Sequence, residues 1–354
     1  MLLLHSVKNA LPEKVYLAPM MDCTDRHFRY LLRLISPHVR LYTEMITTQA
    51  IRRGRLERVI GYDESEHPLA LQLGGGDPAE LAHGAQIAEQ WGYDEVNLNC
   101  GCPSDRVQSG KFGACLMAEP DLVAECVAAM RAACSIEVTV KTRIGIDDND
   151  SYEALAAFIG KVAEAGCGTF QIHARKAWLQ GLSPRENREI PPLRYDIVAK
   201  LAADFPHLHF VLNGGINSLE EMDVHLKTFP AVMIGREAYR NPMMLAQVGP
   251  RFHRDTRVPP QAEWVVSQYR DYVEKRLKLG DPLTILVRHM HGLLSGKPGG
   301  KVFRRVLGEG LSKPGAGAEI ISYAWEAGFK AGENAREAAR NYRETKANAA
   351  LSIG

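Results

Sequence analysis

Eight short apolar runs recur along the first two thirds of the chain, and a helical stretch follows most of them. They are Val15–Met20, Arg40–Met45, Leu69–Leu73, Glu95–Asn99, Ile136–Thr142, Thr169–His173, His209–Leu212 and Val232–Ile234. Each is strand length, and β-branched residues recur in them. After the first run, Thr24 or Asp25 is a candidate cap for a helix whose apolar residues Phe28, Leu31, Leu32 and Ile35 lie on one face. Helical spacing is clearest at Asp77–Trp91, Asp121–Ala132, Tyr152–Ala165 and Leu219–His225, with Asp77-Pro78 and a Ser218…Glu221 capping box as starts. Eight strand and helix units within roughly 240 residues fit a TIM barrel. A doubly wound sheet is the alternative, but no GxGxxG fingerprint follows any strand.

The chain of 354 residues, 45% of them hydrophobic, is long enough for one large core and a smaller second one. Past Tyr239-Arg240-Asn241-Pro242 the strand pattern stops. Residues 249–261, with Pro250, Pro259 and Pro260, read as a linker after a barrel over 1–248. Helical periodicity alone follows, at Trp264–Leu279, Leu283–Leu294, Lys301–Leu311 and Glu319–Asn341, so 262–341 is expected to be a small all-helical domain and 342–354 a frayed tail.

Net charge is +1. Overall charge therefore suggests no nucleic-acid partner, whereas local charge does. Arg288, Lys297, Lys301, Arg304, Arg305 and Lys313 stand against Glu309 as the only acid between Thr284 and Lys313. A charge run is usually a solvated face, but one so one-sided also fits a phosphate backbone. Seven cysteines without CxxC or Cys/His ligand spacing argue for reduced thiols and against zinc. Met1-Leu2-Leu3-Leu4-His5 is too short an apolar run for a signal peptide, and no run reaches membrane-spanning length. A cytoplasmic monomer without metal is expected.

Polar residues gather at the strand C-termini, where a barrel builds its site: Met20, Gln72, Asn99, Lys141, Arg143, His173, Arg175, Asn213, Gly214, Gly215, Gly235 and Arg236. The last five follow strands seven and eight, a common phosphate position in barrels. Lys141 and His173 suit a flavin, the lysine placing positive charge where reduction puts negative charge; a Schiff base on Lys141 is the competing chemistry. Strand four opens into Gly101-Cys102-Pro103-Ser104-Asp105-Arg106 and then Ser109-Gly110-Lys111-Phe112-Gly113, whose glycines let a loop carry a thiol over substrate. A single cysteine is more often a small buried hydrophobe than a catalyst, so Cys102 draws its interest from this company.

Taken together, Ala18-Pro19-Met20-Met21-Asp22, Leu98-Asn99-Cys100-Gly101-Cys102-Pro103-Ser104, Lys141-Thr142-Arg143, Ile172-His173-Ala174-Arg175, Asn213-Gly214-Gly215-Ile216 and Gly235-Arg236 resemble the tRNA-dihydrouridine synthases over nearly the whole chain. The segment His173–Leu193 resembles the A-type (20/20a) subfamily in particular. The resemblance implies an FMN barrel with a helical tRNA-binding domain, reducing the C5=C6 bond of uridines 20 and 20a in the tRNA D-loop, with NADPH or NADH as reductant. It implies Cys102 as the acid that protonates C5. It implies Ala18, Pro19, Met20, Gln72, Lys141, His173, Asn213, Gly214, Gly215, Gly235 and Arg236 as the FMN site. Asn99, Arg185, Arg188, Lys301 and Arg304 are implied as tRNA contacts. Cys100 stands where an aliphatic residue is expected and Cys23 where an aromatic is, and Cys100 places a second thiol two residues from the acid. An FMN-dependent ene-reductase of a free pyrimidine is the alternative; the basic segment and the two insertion arginines argue against it.

Overall fold

The computed structural model describes residues 13–104, 107 and 110–351. Met1–His5 and the loop residues Asp105, Arg106 and Ser109 lie outside the described residues. Eight parallel strands form one closed barrel in chain order: β1 Val15–Leu17, β2 Val39–Thr47, β3 Leu69–Gly74, β4 Glu95–Cys100, β5 Glu137–Arg143, β6 Thr169–His173, β7 His209–Asn213 and β8 Ala231–Ile234. β1 closes on β8 through Val15 opposite Val232 and Leu17 opposite Ile234.

Local chemistry explains the helices between the strands. Asp77, Ser151 and Ser218 each accept a backbone N–H three residues on, which starts the helices Pro78–Gln90, Tyr152–Glu164 and Leu219–His225. At the first helix, Arg26–Ile35, Asp25 is the cap, its carboxylate accepting from the N–H of His27 and of Phe28, both at 3.0 Å. Thr24 instead bonds the backbone of Met20. Only half of the expected box at Ser218 forms, because Glu221 turns to the N–H of Asn217 instead. A helix at Tyr195–Asp204, not singled out in the sequence, follows β6.

The barrel interior is divided by chemistry. Tyr16, Ala18, Tyr42, Ala70, Val211, Ala231 and Met233 form an apolar cluster, against which Met20 packs. Glu95, Asn97 and Gln72 on β4 and β3, with Thr139 and Gln171 on β5 and β6, are buried polar residues. β1 ends at Leu17, short of the expected Met20, because Pro19 lacks the N–H that a ladder needs.

Two compact units emerge: the residues up to Tyr30 with His38–Gly235 and Val248–Asp255, and Leu31–Pro37 with Arg236–Gln247 and the residues from Thr256 on. Of the stretch 249–261 expected as a linker, the first residues lie in the helix Val248–Phe252 of the first unit. Its Arg251 pairs with Glu220 at 2.8 Å and with Asp223. In the second unit, helices Gly300–Leu311 and Glu319–Leu351 approach closely at glycines. A Cβ on Gly299 would meet the carbonyl oxygen of Gly328 at 1.9 Å, and one on Gly310 would meet Ile320 at 3.0 Å.

The helix expected over Leu283–Leu294 is α-helical only to Val287 and tightens to a 3₁₀ turn over Arg288–Gly292. There Gly292 lies so near the backbone of Tyr239 and Arg240 that a Cβ would meet their oxygens at 2.6 and 2.9 Å. The helix from Glu319 continues to Leu351, into the stretch expected as a tail. Beyond Gly332 that segment contains neither Gly nor Pro and is rich in Ala, Glu and Arg, the strongest helix formers.

The ion pair of Arg29 and Glu66 is buried, with side chains 4% and 1% exposed and 2.6 Å between them. Arg29 also donates to the carbonyl of Thr24 at 2.9 Å, so the pair steadies the loop after β1. Removing one partner leaves a buried charge, and Glu66→Ala is expected to lower unfolding stability by about 3–5 kcal/mol. Urea denaturation checks this; a loss under about 1 kcal/mol would mean that Arg29 finds water instead.

Candidate active site

Cys102 lies just past the end of β4, half-buried, and two interactions fix its backbone. Asn99 Oδ1 accepts its N–H at 3.0 Å and that of Gly101 at 3.1 Å, while the Cys102 carbonyl accepts the N–H of Ala114 at 2.9 Å. Gly113, at φ +76°, passes so close that a Cβ there would meet the Cys102 oxygen at 2.6 Å. This glycine serves a close approach as well as freedom of the loop. The Cys102 thiol reaches Ser104 Oγ at 3.5 Å.

Cys100 is set apart from this arrangement. It is fully buried, pairs with Thr142 on β5, and burial holds its thiol well above the usual range, with Cys126 on the helix Pro120–Ala133 adding to the effect. Asn97 and Asn99 face the interior, so Cys100, one residue on, faces outward. The two thiols are therefore not interchangeable.

Asn99 Nδ2 donates to Gln72 Oε1 at 2.8 Å, and Gln72 Nε2 donates to Asn97 Oδ1 at 2.7 Å. Asn97 Nδ2 donates to Thr139 Oγ1 and to Gln171 Oε1, both at 2.7 Å. Gln171 donates to the Tyr42 hydroxyl at 3.0 Å, and Tyr42 donates to Glu95, which Arg40 meets at 3.1 Å. One hydrogen-bonded chain thus runs from the backbone of Cys102 through the barrel core. Gln72 was expected from the sequence; Asn97, Thr139 and Gln171 were not, since alternating polar residues in a strand normally face solvent.

Opposite Asn99 in register stands Lys141, whose ammonium donates to Asn213 Oδ1 at 3.1 Å. Asn213 in turn donates to the carbonyl of Met233 at 2.8 Å, joining β5, β7 and β8. Burial lowers the Lys141 pKa to about 7, with Arg143 adding to the effect and Cys102 opposing it. His173 is held well below its usual range by burial and by Arg143, Lys141, Arg175 and Arg188. It is neutral at pH 7.

Gly214 and Gly215 follow at φ +114° and +71°, and side chains there would strike His173 at 2.6 Å and Leu193 at 2.5 Å. Tyr195 donates to the carbonyl of Gly214 at 2.7 Å. Gly235 differs: a Cβ there would meet only Met20 Sδ at 3.6 Å and Ala18 Cβ at 3.7 Å, ordinary contacts. The protein's own packing does not demand this glycine. Arg236, next in the chain, begins the helix Arg236–Arg240.

The mouth also carries the insertion after β6. Asn187 is fully buried there, accepting the N–H of Trp178 at 2.8 Å and donating to the carbonyls of Trp178 and Leu182 at 2.8 and 3.2 Å. Arg185 and Arg188, on either side of it, are exposed. The structure thus gathers Ala18, Met20, Gln72, Asn99, Cys102, Lys141, His173, Asn213 and the glycines at one end of the barrel. Lys301 and Arg304 belong to the second unit, on the helix Gly300–Leu311, with Lys301 exposed. Arg305, beside them, pairs with Glu309 at 3.0 Å. Among the described residues no helix is long and apolar enough to cross a membrane, and no group of three or more His, Cys, Asp or Glu is placed to hold a metal ion.

The Lys141 shift has a testable sign. An unfolded lysine titrates near 10.4, so between about pH 7 and pH 10 the unfolded chain holds more protons and this residue makes the fold more stable as pH rises. The stability of the wild type relative to Lys141→Met is expected to climb across that window. Denaturation midpoints at pH 7, 8 and 9 measure it, and a flat difference would show that the buried ammonium is not strained.

The Dihydrouridine synthase (Dus) family profile matches residues 16–325. The tRNA-dihydrouridine(20/20a) synthase of Shewanella oneidensis is 56% identical over 310 residues, 88% of this chain and 92% of that one. That of Vibrio cholerae is 56% identical over 313 residues, covering 88% and 95%, and that of Salmonella typhi 56% over 319, covering 89% and 96%. A solved 2-naphthoyl-CoA reductase complex superposes with a TM-score of 0.52 at 9% identity, over 67% of this chain and 50% of that one, a likeness of fold alone. With its family profile spanning most of its length and its relatives above half identity, the chain belongs to the dihydrouridine synthase family.

Proposed function

We propose that the protein reduces uridines 20 and 20a of the tRNA D-loop to dihydrouridine, with FMN as cofactor and NADPH or NADH as reductant. The observation that carries this reading is the placement of Cys102: its backbone N–H is held by Asn99 at the barrel mouth, just past the end of the strand beside that of Lys141. Relatives at 56% identity bearing the (20/20a) name support the substrate.

The donor set fits a flavin. Lys141, His173 and Asn213 on the adjoining strands β5, β6 and β7, with Gln72 on β3, offer ammonium, imidazole and amide groups, and Gly235 leaves room that the protein does not fill. Ala18, Pro19 and Met20 would border the ring. Gly214 and Gly215 would bring backbone to the phosphate, with Gly235 and then Arg236 next in the assignment. When bound, the flavin supplies the hydride for uracil C6.

The remaining chemistry belongs to the chain. Lys141, near its own pKa at neutral pH, takes up a proton as negative charge develops beside it. Neutral His173 offers one N–H and one lone pair without adding charge. Cys102, as a thiol, gives its proton to C5, and the fixed Gly101–Cys102 backbone sets the direction of approach. Asn99 keeps its second amide N–H for the nucleotide. Arg185 and Arg188 from the insertion, and Lys301 and Arg304 from the helical unit, bind tRNA phosphates. A uridine in the D-loop must leave its neighbours to lie against a flat ring, so backbone grip away from the base is needed.

Cys102→Ala is expected to leave flavin reduction by NADPH near wild type and to slow uridine reduction by roughly two or more orders of magnitude. Stopped-flow flavin absorbance and single-turnover dihydrouridine mapping test this; a larger loss in Cys100→Ala would move the acid role to the other thiol. Lys301→Ala with Arg304→Ala is expected to weaken tRNA binding and to flatten its log–log salt dependence by roughly one to two units. An unchanged slope would remove the pair from the interface.

A further inference from the structure

We propose that Arg143 is a positioning residue that joins the loop of Cys102 to the tRNA-gripping insertion, so that the two segments order as one piece. Arg143 ends β5 and is 3% exposed, and among the described residues it has no carboxylate partner. Its bonds go to three carbonyls on two segments, Gly101 beside Cys102 and Lys176 and Asn187 in the insertion after β6. Nε donates to Gly101 at 2.9 Å, and Nη1 donates to Lys176 and to Asn187, both at 3.0 Å.

Each acceptor has a place in the site. Gly101 precedes Cys102, and Asn99 Oδ1 holds both their N–H groups. Asn187 lies between Arg185 and Arg188, and its side chain pins the turn that presents them. Lys176 is tied to the loop after β5 through Asp150 at 2.8 Å and the carbonyl of Asp147 at 3.0 Å. A planar guanidinium with donors in fixed directions can hold three such acceptors at once. A lysine ammonium carries the same charge without that geometry.

A buried cation bonded only to carbonyls is a costly way to fill space, and an apolar side chain would pack there without leaving charge behind. What Arg143 adds is mechanical: displacement of the insertion pulls on Asn187, and through the guanidinium on Gly101. The arrangement lets contact of phosphates with Arg185 and Arg188 steady the acid before the uridine is reduced. This rests on the reading of Cys102 as the acid, but the linkage itself is measurable without turnover.

Amide hydrogen exchange on the full-length protein tests it. In Arg143→Lys and Arg143→Met alike, exchange at Gly101, Cys102 and Ser104 and across residues 178–189 is expected to rise together by about tenfold or more, with β1–β8 unchanged. Single-turnover uridine reduction at saturating tRNA is expected to fall about ten- to a hundredfold in both, the scale of a misplaced reacting group. Asn187→Ala keeps the Arg143 charge and is expected to raise exchange at Gly101 and Cys102, which Asn187 does not touch. Full turnover in Arg143→Lys would overturn the proposal, because charge alone would then suffice. Exchange rising in one segment only, or spreading over the whole barrel, would overturn it too, as would unchanged exchange at Gly101 and Cys102 in Asn187→Ala. Loss of turnover in Cys102→Ala bears on the acid and leaves these exchange outcomes untouched.

Discussion

A side-chain amide buried in a barrel core must find partners for its donors and its acceptor, and this requirement organises the structure. Asn97 meets it by receiving from Gln72 and donating to Thr139 and Gln171. Because each amide fixes the orientation of the next, Gln72 presents a defined edge and Asn99 has its oxygen free for Gly101 and Cys102. A half-satisfied network would cost more than an apolar core, so the chain holds as a whole or is replaced as a whole. Most barrels fill this space with branched aliphatic side chains. Here only the side formed by β1, β7 and β8, with parts of β2 and β3, is apolar.

The network explains which parts of the molecule were legible in the sequence. Strand periods and Ser or Asp caps are local signals, so eight strands and most of the helices between them could be read, with ends misjudged where a proline or a glycine contact intervened. Alternation at Val96, Asn97, Leu98 and Asn99 announces a strand but not which face lies inward, and the usual inference, polar outward, is reversed in this barrel. Asn97, Thr139 and Gln171 were therefore invisible as members of the site. A polar residue repeated at the same level of adjoining strands is the signal that would have found them, since Gln72, Asn97 and Thr139 are register partners in turn.

Side chains that act through backbone were equally hidden. Arg143 reads as one more basic residue at a strand end, and the carbonyls it holds, Gly101 on one side and Lys176 and Asn187 on the other, come from two segments far from it in the chain. Gly113 reads as a hinge, whereas its contact with Cys102 depends on how the loop folds back. The extent of the helix to Leu351 was hard to read for a different reason: alanine-rich polar sequence is ambiguous between fraying and helix until something anchors its first turns. Ile320, Ile321 and Ala324 are buried and provide that anchor.

The electrostatics of the mouth follow from the same crowding. Among the described residues Arg143 is held by carbonyl dipoles, and its charge adds to the effect of burial in lowering the pKa values of Lys141 and His173. Three basic groups in one place would ordinarily repel; here the strain is relieved by the lowered pKa values of His173 and Lys141, the lysine being only partly charged near pH 7. A site in that condition has a specific bias. It resists a further cation, and it stabilises an incoming anion twice over, once through Arg143 directly and once by letting Lys141 recover its charge. Reduction of a neutral ring creates negative charge at the moment when such a response is useful, and an uncharged substrate draws on it only as the reaction proceeds. The cluster is thus better matched to stabilising charge that develops during reaction than to holding a permanently charged partner.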